Sequence, residues 1–122
     1  MCIRDSPRRV GREISIGYVS GTSAWGAVDV EFDRLAKIDL GSGNRSDIVL
    51  DEGWTCGESL FVPDPDRTSE DGGWLLNWVS DHAANRSELW VLDAESFSGD
   101  PVARIVAPRR VPAGFHGTWV GA

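Results

Sequence analysis

The sequence predicts an all-β fold, on three observations. No window of about 11 residues or more carries an apolar stripe at helical spacing. Short β-prone runs alternate with clusters of Gly, Pro, Asp, Asn and Ser, the residues that tight turns require. Four such runs, at residues 58–63, 74–80, 88–93 and 102–107, follow one another across polar turns before a fifth begins. That is the strand count and length of one β-propeller blade, roughly 40–50 residues; a meander in a β-sandwich reads the same way.

Residues 1–6, Met-Cys-Ile-Arg-Asp-Ser, show no cap, no period and no apolar partner, and are expected to be a non-native junction, with the domain proper at 7–122. Residues 14–19 alternate as a half-buried strand does, and 21–26 form a loop. Residues 32–40 are strand-like, with Phe32, Leu35, Ile38 and Leu40 at irregular spacing. Gly41-Ser42-Gly43-Asn44 is a turn whose residues accept positive φ, and 47–50 is a short strand. The strand at 58–63 stops at Pro63, and 64–73 is a polar loop. Residues 74–80, Trp-Leu-Leu-Asn-Trp-Val-Ser, are nearly continuously apolar and are expected to be buried on both faces. A turn at 81–86 leads to the return strand of a hairpin at 88–93; 98–101 turns again, and 102–107 alternates cleanly.

The totals narrow the function. At 122 residues the chain is one small domain or a piece of a larger one. A net charge of −7 without a basic stripe excludes a nucleic-acid footprint. Cys2 and Cys56 make neither a disulfide framework nor a metal spacing, which fits a reduced, cytoplasmic setting. No apolar run approaches the roughly 18 residues of a membrane span, and the start lacks the apolar core of a signal peptide. Asn44-Arg45-Ser46 and Asn85-Arg86-Ser87 match the glycosylation pattern, which is common by chance. Six tryptophans are many for this length; they read either as core packing or as walls for an apolar ligand.

The stretch richest in chemistry is Val111-Pro112-Ala113-Gly114-Phe115-His116-Gly117-Thr118-Trp119-Val120. Glycines on either side leave the backbone uncrowded around the His116 imidazole, a side-chain type that readily ligates metals. The alternative is a packed, hydrogen-bonded core histidine. Glu58 stands at the matching point about one blade earlier, just after a glycine and at the start of a strand. His82, in a polar turn, reads as an exposed loop imidazole. Ser80, Asp81 and His82 are sequence neighbours on a turn and do not make a triad. Asp64, Asp66, Glu70 and Asp71 lack the calcium-loop pattern and read as a solvated loop.

Several blocks resemble, in order and near-family spacing, the C-terminal part of carotenoid cleavage oxygenases, a family that includes stilbene-cleaving dioxygenases and the retinoid isomerase of the retinal pigment epithelium. They are Gly57-Glu58-Ser59-Leu60-Phe61-Val62-Pro63, Glu70-Asp71-Gly72-Gly73-Trp74-Leu75-Leu76, Ser87-Glu88-Leu89-Trp90-Val91-Leu92-Asp93-Ala94, Pro101-Val102-Ala103-Arg104, and Arg110 through Val120. Residues 5–11 and 32–40 are similar to the preceding blade. The resemblance implies a seven-bladed β-propeller, of which this chain supplies about two blades and the start of the closing one. It implies Fe(II) on the propeller axis, held by four histidines, three of them steadied by glutamates behind them. His116 matches the last of the four and Glu58 one of the glutamates. Ser59 stands where the family has proline, which is expected to alter local stiffness and leave the carboxylate's role intact. The other three histidines are absent from these 122 residues, as is the glutamate expected just upstream of Asp5.

The expected function is therefore that of a longer parent: cleavage of a conjugated C=C bond of a carotenoid, apocarotenoid or stilbenoid by O2 at non-haem Fe(II), giving aldehyde or ketone products. The partners are an apolar polyene or stilbenoid and O2, with room for peripheral membrane contact through regions outside this chain. The fragment alone is expected to be inactive. The competing reading is a non-catalytic β-rich binding or scaffold domain with a structural His116.

Overall fold

The computed structural model describes residues 3–4, 9–23, 31–114 and 116–121. The nine elements among them are all strands, arranged in two antiparallel sheets. The first sheet runs β1 (Ile3–Arg4), β2 (Ile16–Gly21), β3 (Arg34–Asp39) and β4 (Arg45–Val49), in that order. The second contains β5 (Trp54–Cys56), β6 (Leu60–Pro63), β7 (Gly73–Asp81), β8 (Arg86–Asp93) and β9 (Ala103–Val106). Its order is β5-β7-β8-β9, with β6 also on β7.

β5 and β6 share one edge of β7. Cys56 lies opposite Val79, and Leu60 opposite Leu76. They are two halves of one strand, interrupted at Gly57-Glu58-Ser59, so the second sheet is effectively four-stranded. The sequence reading missed β5, whose three residues are too short to show a period, and ran one continuous strand from Glu58. It also missed β1: Ile3 lies opposite Val19, within the six residues expected to be a junction.

The turns follow from the residues that form them. Gly43 takes φ +74° between β3 and β4, and Asn85 takes φ +49° in the β7–β8 hairpin; both types tolerate the left-handed region. Asp93 closes the β8 end by accepting the amides of Glu95 and Ser96 at 3.0 and 2.9 Å. Those bonds, with Arg67 at 2.7 Å, hold its carboxyl below the usual carboxylate range.

The core gathers side chains from both sheets: Tyr18, Leu35, Ile48, Leu50, Cys56, Phe61, Leu75, Val79, Trp90, Leu92, Ala94 and Phe97. Tyr18 stacks on Phe61 with ring centroids 5.9 Å apart. Each fully buried leucine or valine here contributes about 1.5–3 kcal/mol. Polar ties reinforce the junction. Glu70 accepts the amides of Ser15 and Ile16 at 2.7 and 3.0 Å. Lys37 reaches Asp71, Ala94 O and Glu95 O at 2.7–2.9 Å. Tyr18 donates its hydroxyl to Ala94 O at 3.2 Å, and burial pushes its ionisation upward, so it remains a donor.

β7 corrects one expectation. It is buried on one face only: Gly73, Leu75, Asn77 and Val79 point into the core, while Trp74, Leu76 and Trp78 point away, Trp78 being 43% exposed. The strand is apolar enough for two buried faces, and this chain covers only one of them. β9, expected to alternate, is exposed throughout.

Candidate metal-ligand site

Glu58 and His116, 58 residues apart in the chain, meet: Nδ1 of His116 lies 2.8 Å from Oε2 of Glu58. The carboxylate is nearly buried, its side chain 8% exposed, and the imidazole is 63% exposed. A carboxylate only accepts, so Nδ1 donates. In the neutral ring that fixes the proton on Nδ1 and puts the lone pair on Nε2.

The break between β5 and β6 positions Glu58. Gly57 N donates to Trp78 O at 2.8 Å, keeping the segment on the edge of β7. Gly57 O accepts Asn77 Nδ2 and, from the first sheet, Ser20 Oγ, both at 2.9 Å. Asn77 Nδ2 also donates to Ser59 Oγ at 3.1 Å.

β8 positions the histidine segment. Ser87, fully buried, accepts Val111 N on its hydroxyl at 3.0 Å and Ala107 N on its carbonyl at 2.9 Å. Beyond Val111 the chain runs in step with β6. His116 meets Glu58, Gly117 lies against Leu60, and Trp119 shares an apolar concavity of about 180 Å³ with Val62, Trp74, Leu76 and Val91. The sequence reading expected a strand here. No strand is assigned, because an extended segment needs a hydrogen-bonded neighbour to form a ladder, and none of the described strands pairs with it. Phe115 lies outside the described residues.

The remaining candidates fall into structural roles. His82 is half-buried rather than exposed, its Nε2 2.8 Å from Thr55 Oγ1. Ser80 hydrogen-bonds Ser87 at 3.0 Å, and Asp81 accepts Ala84 N at 3.0 Å, so neither engages His82. Three of the four acids of the 64–73 loop are used in ties: Asp71 to Lys37, Glu70 to the β2 start, Asp64 to Arg67. Among the described residues no three His, Cys, Asp or Glu side chains come together as a metal cage. An exposed imidazole with one nitrogen committed to a carboxylate suits one corner of a metal site and cannot make the whole.

The sequence model of the family described as retinal pigment epithelial membrane protein matches residues 2–121. The chain belongs to that family. Among its relatives, the apocarotenoid-15,15'-oxygenase of Synechocystis is 31% identical over 113 residues, covering 93% of this chain and 23% of that protein. The chloroplastic 9-cis-epoxycarotenoid dioxygenase NCED6 of Arabidopsis thaliana is 33% identical, over 91% of this chain and 18% of its own length. The crystal structure of cobalt-substituted Synechocystis apocarotenoid oxygenase superposes with a TM-score of 0.88 at 28% identity; it covers 99% of this chain, and this chain covers 26% of it. A chimera of that oxygenase with the retinal pigment epithelial protein gives 0.86 at 27% identity. The chain is thus a portion of the family's β-propeller, spanning 26% of the matched cobalt-substituted chain. The matched relatives include an apocarotenoid oxygenase and carotenoid-cleaving dioxygenases.

The reading from sequence singled out both members of the contacting pair. It missed the residues that hold them, Asn77, Ser87 and Ser20. Asn77 carried one usable signal: it is the lone amide inside the most apolar run.

Proposed function

We propose that this chain is part of a longer oxygenase that cleaves a conjugated C=C bond of an apolar polyene or stilbenoid. O2 adds across the broken double bond, so one alkene and one O2 give two carbonyl groups, and no external reductant is consumed. Fe(II) is the proposed cofactor, with His116 as one of its ligands through Nε2 and the remaining ligands on the rest of the longer protein. When bound, it supplies the electronic partner that ground-state O2 needs to react with a closed-shell alkene.

What this chain contributes is a pre-set imidazole. Glu58 holds the proton on Nδ1, which raises the basicity of Nε2 and fixes the plane of the ring. The carboxylate is held back from solvent, so its bond to the ring competes less with water. The observation that carries the proposal is this 2.8 Å pair, with the carboxylate buried and the ring exposed. The competing scaffold reading calls for a packed histidine, and the His116 ring is 63% exposed.

The test is made on the longer reading frame that contains this segment. The purified protein is expected to retain iron and to cleave an apocarotenal, followed by loss of polyene absorbance, and His116→Ala is expected to abolish both. A longer frame without further histidines to complete the site, or His116→Ala protein that keeps its iron, would refute the assignment. The 122-residue chain alone is expected to retain no stoichiometric iron and to leave the polyene intact.

A further inference from the structure

The side chain that bears most directly on the Glu58–His116 pair touches neither of them. Asn77 is fully buried on the core face of β7. Its amide donates to Gly57 O at 2.9 Å and to Ser59 Oγ at 3.1 Å, the residues on either side of Glu58. Ser20, 4% exposed, donates to the same Gly57 carbonyl from the first sheet, so both lone pairs of that oxygen are used. The interruption between β5 and β6 is thereby gripped from both sheets at the point where Glu58 turns toward His116.

The grip has a cost visible in the structure. Asn77 Oδ1 is buried and, among the described residues, makes no hydrogen bond. An orphaned buried acceptor lowers stability. A leucine has the same branched outline and no buried acceptor, so it would remove that cost while adding bulk beside Leu75 and Val79. An amide kept there is explained by what its donors hold in place.

We infer that Asn77 is a positioning residue: it sets the backbone on either side of Glu58 so that the carboxylate meets Nδ1 of His116 and selects the tautomer suited to metal ligation. The inference rests on the proposed role of the pair, and it is tested without metal. The sequence has only two histidines, so 15N NMR of the chain labelled at histidine gives two imidazoles to follow. Solid-state spectra make the measurement independent of solubility. Spectra are recorded at alkaline pH, so that the ring tautomers can be read. Neutral imidazole in water prefers the proton on Nε2, so an Nδ1–H signature at His116 reports the Glu58 contact.

In Asn77→Leu, His116 is expected to move from mostly Nδ1–H to mostly Nε2–H. The signature of His82, whose Nε2 contacts Thr55 Oγ1 and not the β5–β6 break, should stay in place. A merely structural asparagine would leave the His116 tautomer alone, so a folded Asn77→Leu chain with His116 still Nδ1–H overturns the inference. If Asn77→Leu loses its fold, shown by both histidines changing together, Ser59→Ala decides. It removes one of the two amide contacts and is expected to shift His116 in the same direction by less; no shift overturns the proposal. Iron retention by the longer protein is a separate readout. Its failure with the tautomer result intact would sink the metal reading and leave the positioning role standing.

Discussion

At the scale of single residues, the chain uses buried polar groups to place one exposed ring. Glu58→Gln keeps the shape and an acceptor but loses the charge. In the longer protein this is expected to weaken iron binding by about 10–100-fold, measured by competition with a chelator, while leaving the fold intact. Ser59, which stands where the family resemblance places proline, is not idle: its hydroxyl takes the second Asn77 bond, restraining the loop by a hydrogen bond where a ring would restrain it covalently. Cys56 is the other residue with a distinct chemistry. Burial, aided by the charge of Asp33, pushes its thiol up to about 12. In the unfolded chain the thiol ionises near 8.5, so folding binds the proton more tightly. Its contribution to stability is therefore complete below the unfolded value and is lost as pH climbs from there toward about 12. The slope over that window is at most about 1.4 kcal/mol per pH unit. Alkaline melting of wild type against Cys56→Ala should reveal it, and in the native state at neutral pH Cys56 should resist alkylation.

At the scale of elements, two joints decide whether the pair meets. One is the β6–β7 pairing. Gly73 sits so close to β6 that an added Cβ would lie 2.3 Å from Val62 O and 3.0 Å from the Phe61 ring. Gly73→Ala is expected to cost about 3 kcal/mol, the upper end for overpacking, read as a fall in the denaturant midpoint. The other joint is Ser87, which pins Val111 and with it the start of the His116 segment. Ser87→Ala is expected to cost about 1–2 kcal/mol and to free the following residues, so that trypsin cuts faster at Arg109 and Arg110 than in wild type. The regular strands around these joints were largely readable in advance: β2 announces itself by alternation, and β3, β7 and β8 by β-prone apolar runs between turns. β5 and the interruption after it were not, because three paired residues carry no period and the break is imposed by Asn77 and Ser20 from other strands.

At the scale of the whole molecule, the two sheets make a core with each other and leave other surfaces open. Trp78 is 43% exposed, and Val102, Ile105 and Val106 are 61%, 53% and 57% exposed along and beside β9. Trp74, Leu76 and Trp119 line an apolar concavity on the side of β7 away from the core. Exposed apolar faces and strand edges drive association between chains. The isolated chain is expected to self-associate at micromolar concentration, seen by light scattering, whereas the longer protein, with further blades over these surfaces, should run as a discrete species. A monodisperse, monomeric isolated chain would contradict this.

The amino-acid sequence alone pointed to the β structure of the described residues, to where most of its strands and turns fall, and to the two side chains proposed to carry its chemistry. Those properties are local: they follow from alternation, turn residues and ordered motif blocks. Only the tertiary structure decided that Glu58 faces His116, that Asn77, Ser20 and Ser87 hold them, and that β7 buries one face and exposes the other. Those are contacts between residues tens of positions apart, and they exist only once the sheets have paired and closed on a common core.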